Sequence, residues 1–329
     1  MRYLLRRIAG GLVVLSIVSA VVFGLFYILP ADPARLACGK SCTPELIAKI
    51  RHTLEIDQPI TVQFERFVKG IFVGRNYNQG TTAEIHCPAP CLGYSYQTDE
   101  PVTALIKDRL PATLSIAAGA SILWLLVGMA SGIISALKRG TWIDKFAQGI
   151  ALGGASLQIY FVGLVLQFLF VDKLGWLHSP GYVSPFDDPR EWAKEMILPW
   201  ITLAFLLSAI YARLTRAGML EIMSEDYIRT ARAKGLSKQT INFKHVLRAA
   251  ITPIVTVFGL DLGQLLGGAV ITEYVFNIPG LGRLSTDAVS NVDLPVIVGT
   301  VMFAAFFIVV ANIVVDLLYS RLDPKVRLK

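Results

Sequence analysis

Charged residues are scarce in this chain, and the scarcity is uneven along it. Only 17% of the 329 residues are Asp, Glu, Lys or Arg, whereas 54% are hydrophobic. Soluble domains usually carry about a quarter charged residues, so this composition excludes an ordinary soluble globular protein. The apolar excess falls in runs of about 18 or more residues that almost lack charge, and such runs indicate transmembrane helices.

Six runs of this kind are present, and they predict an all-α membrane protein with six transmembrane helices. The predicted spans are 8–29, 112–137, 146–171, 197–216, 251–276 and 295–318. The first is longer than the h-region of a cleaved signal peptide, which is usually about 7–15 residues, so we expect a retained anchor. The chain is thereby divided into an N-terminal end with the first span (1–29), a long loop (30–111) and a core domain (112–329).

Basic residues are distributed unequally between the loops, and this predicts the orientation. The two termini and the loops on their side, counted with Arg213 and Arg216 at the inner end of the fourth span, hold 18 Lys or Arg and 5 Asp or Glu, whereas the opposite loops hold 13 and 16. Because cytoplasmic loops carry the excess of Lys and Arg, we expect both termini in the cytoplasm and residues 30–111 outside. The net charge of +7 then reflects orientation and requires no nucleic-acid partner.

Catalytic clusters and metal-ligand spacings are also lacking. The four histidines, His52, His86, His178 and His245, form no metal spacing. The predicted spans contain no grouped nucleophile, base or metal ligands, which disfavours a membrane-embedded enzyme. We therefore expect a non-catalytic chain.

The stretch ARLACGKS at 34–41 has the spacing of an ATP-binding P-loop. A P-loop follows a β-strand and opens a helix, so that backbone N–H groups surround the phosphates. Here a predicted span precedes the stretch and places it outside the cytoplasm. We interpret the match as chance.

All four cysteines lie in the first outer loop, as the pairs Cys38-x-x-x-Cys42 and Cys87-x-x-x-Cys91. Thiols outside the cytoplasm tend to be oxidised, which favours disulfides. Four cysteines allow three pairings, and the sequence does not choose between them. A four-thiolate zinc site and free thiols are the alternatives, although we expect no bound metal.

The cytoplasmic loop at 217–250 carries the functional signal. It is too long for a tight turn, and Gly235 is placed to end a helix in its first half. A short helix across the cytoplasmic end of a membrane bundle can dock into a groove on a soluble partner and transmit motion. A basic helix resting on anionic headgroups explains the same pattern equally well.

Within this loop, DYIRTARAKGL (226–236) resembles the EAA loop of ABC-importer permeases of the dipeptide/oligopeptide/nickel class. Ala231 and Gly235 match the second alanine and the glycine of the family pattern, whereas Arg229 and Thr230 depart from its Glu-Ala. Stretches similar to other family landmarks occur in order at 29–33, 56–59, 110–114, 267–270, 279–282 and 322–324. The resemblance covers nearly all of the chain except about 74–91, which looks like an insertion.

The resemblance implies a type I ABC importer permease with an extended first extracytoplasmic loop, located in a bacterial cell membrane. The chain would form half of a translocation path for di- or oligopeptides, together with a second homologous permease subunit. ATP and Mg would bind to two cytoplasmic ATPase subunits, or to one fused chain, and an extracytoplasmic solute-binding protein would deliver cargo. The residues that the resemblance places against the ATPase, on a coupling helix, are Asp226, Tyr227, Ile228, Arg229, Thr230, Ala231, Lys234, Gly235 and Leu236.

The fifth predicted span is the most polar. At about 100° per residue, one helical face carries Asp261, Gln264, Gly268 and Thr272. With Glu273 they are candidates for lining the path, because an intramembrane carboxylate is costly and usually functional. Pairing of Asp261 with a basic or amide group at a subunit interface is an alternative explanation.

A secondary transporter or channel, which acts without an ATPase, is the alternative class of protein. Secondary transporters often contain inverted repeats and helices broken at the bilayer midplane. The sequence shows neither feature, so this class is disfavoured.

Overall fold

The structure, a computed structural model, describes residues 2–27, 34–35, 43–53, 58–77, 85–95, 97–178 and 180–322. Most of this part is helical. In chain order, the helices are α1 (Arg2–Tyr27), α2 (Pro44–Thr53), α3 (Ile60–Val73), α4 (Val102–Leu137), α5 (Trp142–Ser156), α6 (Ile159–Gln167), α7 (Pro189–Met223), α8 (Asp226–Ala233), α9 (Leu247–Leu266), α10 (Val270–Val275), α11 (Leu281–Asn291) and α12 (Leu294–Leu322). Two π-helical segments follow α6 and precede α9, at Phe168–Lys173 and Thr240–Val246.

Four short strands lie between α3 and α4 and form two antiparallel pairs. They are β1 (Arg75–Tyr77), β2 (Ile85–Cys87), β3 (Tyr94–Ser95) and β4 (Glu100–Pro101). In the first pair Asn76 lies opposite His86, and in the second Ser95 lies opposite Glu100. Both pairs belong to the predicted outer loop.

Five helical segments among the described residues are long and apolar enough to cross a membrane. They are Arg6–Gly24, Val102–Leu137, Pro189–Met223, Thr240–Leu266 and Leu294–Leu317. A sixth crossing is present if two helical segments, Trp142–Gly154 and Ile159–Lys173, count as one span; they are bent by 98° at the break between them. The predicted all-α membrane fold is therefore confirmed, with five or six spans.

The third predicted span, 146–171, is interrupted. Helix α5 ends at Ser156, and the next two residues, Leu157 and Gln158, have extended backbone angles before α6 begins at Ile159. Gly153 and Gly154 precede the break, and glycine is a poor helix former. The expectation that the chain lacks broken helices is thus wrong at this position.

The fifth predicted span, 251–276, also ends early, because α9 stops at Leu266. Gly268 has φ +126°, and a Cβ placed on it would lie 2.5 Å from the Cα and N atoms of Gly282. Only glycine permits both this backbone angle and this close approach. A new helix then begins at Val270, so the prediction of one continuous polar face from Asp261 to Thr272 is wrong.

The chain divides into two compact units that are not successive along the sequence. The first consists of residues 1–113, 266–270 and 279–310. Its main core joins the first turns of α4 to α11 and the start of α12, through Val102, Leu105, Ile106, Leu281, Ala288, Leu294, Val296 and Ile297. A second core packs α3 onto α1 and α12, through Val22, Phe23, Phe67, Val298 and Met302.

The second unit consists of residues 114–265, 271–278 and 311–329. Helices α4 and α7 approach each other closely at Gly128 and Gly132. A Cβ on Gly128 would lie 2.7 Å from Cβ of Tyr211, and one on Gly132 would lie 2.6 Å from the carbonyl oxygen of Ala212. Small residues four apart allow membrane helices to pack backbone to backbone, so this pair of glycines sets the distance between α4 and α7.

Candidate functional site

The EAA-like segment forms a separate short helix, α8, beneath the end of α7. It begins after Glu225, which has an extended backbone, and it ends at Gly235, whose φ is +78°. The N–H of Leu236 donates to the carbonyl of Ala231 at 3.3 Å, and the N–H of Gly235 donates to that of Arg232 at 3.0 Å. This pair of bonds is the Schellman motif, which requires a left-handed residue at the position of Gly235. The sequence therefore determines where α8 ends.

One face of α8 is buried within the second unit. The side chain of Ile228 is fully inaccessible and Ala231 is only 9% exposed. Both belong to an apolar cluster, hereafter the anchor cluster, whose buried members are Ala136, Met219, Ile228, Ala231, Ile241, Val246 and Ala250. Ile228 and Ala231 are among the residues predicted to face the ATPase, and in the structure their apolar side chains are withdrawn from solvent against α7 and the π-helical segment Thr240–Val246.

The other face of α8 is exposed. Tyr227 is 48% exposed and Leu236 is 39% exposed. The remaining predicted contact residues that lie at the surface are Asp226, Arg229, Thr230, Lys234 and Gly235. The Arg229–Asp226 ion pair, 3.4 Å between Nη1 and Oδ1, is also exposed, and exposed pairs contribute little to stability. These side chains are therefore available to a partner.

A buried ionic network supports the same region, and sequence reasoning missed it. Asp144, at the start of α5, is almost inaccessible and binds Arg216 of α7. It also accepts hydrogen bonds from the Ser135 hydroxyl, the Gly140 N–H and the Gln148 amide. Arg216 had been counted only as part of the cytoplasmic charge excess. The signal in the sequence was an arginine at the polar end of an apolar run, which requires an acidic partner once it is buried.

Of the candidate path residues, Asp261 and Gln264 lie on α9, and Asp261 is partly buried. The Tyr211 hydroxyl donates to Oδ2 of Asp261 at 2.7 Å. Tyr211 is itself fully buried beside Trp124, with ring centroids 6.2 Å apart. One partner of Asp261 is thus a phenol within the same chain, and pairing with a basic or amide group at a subunit interface stays a prediction.

The other path candidates lie beyond the break in the fifth span. Gly268 forms the break itself, and Thr272 and Glu273 lie on α10. Both side chains are buried, Thr272 at 2% exposure and Glu273 at 0%. The structure therefore separates these residues from the helical face that carries Asp261.

The second cysteine pair forms a disulfide in the structure, between Cys87 and Cys91, with Cα atoms 5.6 Å apart. It lies in a small cluster with Tyr77 and Tyr94. Cys38 and Cys42 lie outside the described residues, as does most of the P-loop-like stretch.

These features define a class of protein: a multi-span helical membrane subunit that carries a short, anchored helix with an exposed polar face. The family model for the inner membrane component of binding-protein-dependent transport systems matches residues 128–328, and the model for the N-terminal part of that component matches residues 1–117. The chain belongs to this family and is therefore a multi-pass component of a bacterial inner membrane.

Relatives at 34–38% identity match at least 98% of the chain. A putative peptide transport system permease protein of Brucella abortus (strain 2308) is 38% identical over 324 residues, 98% of each chain. The glutathione transport system permease protein GsiC of Escherichia coli O6:H1 is 38% identical over 329 residues, 100% of each chain. The dipeptide transport system permease protein DppB of Alkalihalophilus pseudofirmus is 34% identical over 345 residues, 99% of each chain.

Among solved structures, a chain of the MetNI methionine ABC transporter in an inward-facing conformation matches with a TM-score of 0.54 at 15% identity. The match covers 68% of this chain and 98% of that chain. At this identity the likeness establishes the fold alone, and it confirms the predicted importer-permease architecture.

Proposed function

We propose that this chain is one of two membrane subunits of an ATP-driven importer and that its cargo is a peptide. The family membership and the peptide, dipeptide and glutathione systems named for its relatives support this function. A second homologous permease subunit completes the path, and a solute-binding protein delivers cargo from outside. ATP and Mg bind to two cytoplasmic ATPase subunits or to one fused chain, and both termini of the permease lie in the cytoplasm.

The observation that carries the proposal is the two-sided placement of α8. Its apolar residues Ile228 and Ala231 are buried in the anchor cluster, whereas Tyr227, Arg229 and Lys234 are exposed. A helix that merely rested on lipid headgroups would direct its apolar face to the bilayer. Here the bundle already occupies that face, so the exposed polar face is left for a soluble partner.

Anchoring also provides the mechanical link that coupling requires. Because interiors are close-packed, a helix held by fully buried contacts moves with the elements that it touches. Closure of the ATPase dimer on ATP displaces α8, and the displacement reaches α7 and α9 through the anchor cluster. The membrane bundle then opens outward, and hydrolysis returns it to the inward-facing state. ATP drives the change only if it binds the two states with different affinity.

The cargo path is the second part of the proposal. Asp261 supplies a carboxylate within the α9 span, which attracts the α-amino group of a peptide. Tyr211 orients that carboxylate through its hydrogen bond. We assign Gln264, Gly268, Thr272 and Glu273 to the same path as candidates, although Thr272 and Glu273 are buried and require movement of α10 to contact cargo.

Site-specific photo-crosslinking tests the coupling helix. A photoreactive phenylalanine analogue replaces Tyr227 in the transporter in its native membrane, and the same analogue replaces Trp142, an exposed aromatic residue on α5, as the control. We expect an ATPase adduct from position 227 and none from position 142. Lipid adducts alone from position 227, with transport intact, would contradict the assignment.

A charge reversal measures the coupling itself. Arg229→Glu with Lys234→Glu is expected to lower cargo-stimulated ATP hydrolysis by roughly 5- to 150-fold, the usual range of a coupling between sites. Lys138→Glu with Arg139→Glu, exposed residues after α4, is the matched control. Unchanged stimulation in the first variant would show that coupling does not pass through the exposed face of α8.

A further inference from the structure

A basic pocket lies between the C-terminal half of α3 and the hairpin β1–β2, within the first unit. Its volume is about 440 Å³ and its lining residues are Arg66, Lys69, Gly70, Val73, Gly74, Arg75, Asn76 and His86. Three of these residues, Arg66, Lys69 and Arg75, are basic, and none of the described lining residues is acidic. Neither coupling to an ATPase nor the cargo path uses this pocket.

The chain builds the pocket with a tight turn after α3. Gly74 has φ +83°, and a Cβ on it would lie 2.8 Å from the carbonyl oxygen of Cys87. This turn returns the chain onto α3, so that a Cβ on Gly70 would lie 3.5 Å from Cβ of Arg75. The Arg75 guanidinium lies over the Tyr77 ring, 4.8 Å from its centroid. One wall of the pocket is therefore held in place.

A second contact orders the hairpin side of the pocket. Nδ1 of His86 lies 2.6 Å from Oδ1 of Asn76, across the two strands of the hairpin. This bond fixes the orientation of the imidazole at the rim of the pocket. Two of the cationic side chains, Arg66 and Lys69, are exposed on α3, and a ligand reaches them from outside.

Large apolar side chains beside this basic pocket are mostly exposed. Phe72 is 77% exposed and Val73 is 70% exposed, and Val73 also lines the pocket. Basic residues beside exposed aromatic and aliphatic residues are typical of helices that lie in the interface of a bilayer. An acidic protein segment bound in the pocket would pair with its basic residues but would leave the Phe72 side chain in water.

The depth of α3 agrees with this interpretation. Its buried residue Phe67 packs against Val22 and Phe23 of α1 and against Val298 and Met302 of α12. Val298 lies four residues after the start of α12, which is roughly 6 Å along a helix axis. Interfacial helices bury their apolar face about 5–10 Å below the surface. Helix α3 thus packs against the first turns of the α12 span, which is the depth that an interfacial helix occupies.

We propose that this pocket binds the headgroup of an anionic phospholipid. Arg66, Lys69 and Arg75 bind the phosphate oxygens, since guanidinium groups match phosphate geometry. Phe72 and Val73 contact the first methylenes of the acyl chains. The orientation predicted from the basic residues places this lipid in the outer leaflet. The site does not depend on the cargo or on the ATPase.

The test measures lipid binding to the full-length chain in its purified transporter complex. Native mass spectrometry follows titration with dioleoyl phosphatidylglycerol and, separately, dioleoyl phosphatidylcholine. We expect Arg66→Gln with Lys69→Gln to weaken phosphatidylglycerol binding by about thirtyfold and to leave phosphatidylcholine binding unchanged. Phe72→Ser, at an exposed position, is expected to weaken binding of phosphatidylglycerol but not of glycerol 3-phosphate.

Lys107→Gln with Arg190→Gln is the matched control, because it removes the same charge from exposed residues outside the pocket. Equal phosphatidylglycerol binding by the pocket variant and this control would overturn the proposal. Displacement of the lipid by equimolar glycerol 3-phosphate would show that the ligand is a free phosphate. If the pocket variant binds lipid normally but no longer captures the solute-binding protein, the pocket would be assigned to an acidic protein surface.

Discussion

Arg216 of α7 donates two hydrogen bonds to Asp144 of α5, from Nε to Oδ1 at 2.8 Å and from Nη2 to Oδ2 at 2.9 Å. Bidentate pairs of this kind fix orientation as well as distance. Arg216 lies seven residues before α7 ends at Met223, and α8 begins three residues later. The pair therefore holds the end of the helix that leads into α8, the proposed coupling helix.

Removing one partner of this pair is expected to weaken coupling. Asp144→Asn leaves Arg216 without its buried counter-ion, so we expect lower thermal stability and a loss of cargo-stimulated ATP hydrolysis of about fivefold or more. Arg213→Gln, at an exposed position on the same helix, is the control. Thermal unfolding and stimulated hydrolysis are measured on the same preparations. Full coupling in Asp144→Asn would show that the pair is dispensable.

Two glycines in the left-handed region are expected to differ in their tolerance to alanine. Gly235 ends α8 with φ +78°, and a Cβ there meets nothing within 4 Å. Gly235→Ala therefore costs only backbone strain, about 1–2 kcal/mol. Gly268→Ala adds a collision with the backbone of Gly282 and is expected to prevent normal packing. Expression and thermal unfolding of the two variants are compared, and similar behaviour would contradict the described turn at Gly268.

Asp261 is expected to distinguish peptides with a free amino group from N-acetylated ones. Asp261→Asn removes a charge-assisted hydrogen bond to cargo, which reduces uptake of the free peptide by roughly tenfold or more. Uptake of the N-acetylated peptide serves as the internal control. Tyr211→Phe keeps the carboxylate and is expected to preserve the preference with lower stability. An unchanged ratio of the two uptakes in Asp261→Asn would assign the carboxylate a structural role.

Asp293 is expected to make stability depend on pH. It lies outside the spans, is 6% exposed, and accepts a hydrogen bond from the Ser95 hydroxyl. Burial raises the pKa of its carboxyl, although the bond from Ser95 opposes this. Because the folded protein then holds the proton more tightly than the unfolded chain, stability falls as pH rises from about 4 through the folded pKa.

The variant Asp293→Asn tests this pH dependence. It cannot ionise, and its side-chain oxygen still accepts from Ser95. We expect a flatter plot of unfolding temperature against pH from about 4 to 7. Asp287→Asn, at an exposed position of α11, is the control. A steeper plot in Asp293→Asn than in the wild type would contradict the predicted direction of the pH dependence.

Much of the fold follows from local signals in the sequence. A long apolar run determines a transmembrane helix. In the hydrocarbon core the backbone N–H and C=O groups must bond to one another, and a helix satisfies them within the segment. The end of α8 at Gly235 was also predictable, since a left-handed residue is required there. The breaks after Ser156 and Leu266 were missed, because runs of apolar residues look alike whether the helix is straight or interrupted. At Gly268 the decisive fact is the backbone of Gly282, which is distant in the sequence.

For the candidate coupling residues too, some features follow from the local sequence and others only from tertiary packing. The sequence by itself determined that a short helix between two spans ends at Gly235, because capping and periodicity are local properties. Only the tertiary structure decided that Ile228 and Ala231 face inward and that Tyr227, Arg229 and Lys234 face outward. It also brought Arg216 to Asp144, Tyr211 to Asp261 and Arg66 to the hairpin. Burial and ion pairing depend on which surfaces of distant segments come into contact. Local sequence patterns do not show these contacts, which form only when the chain packs.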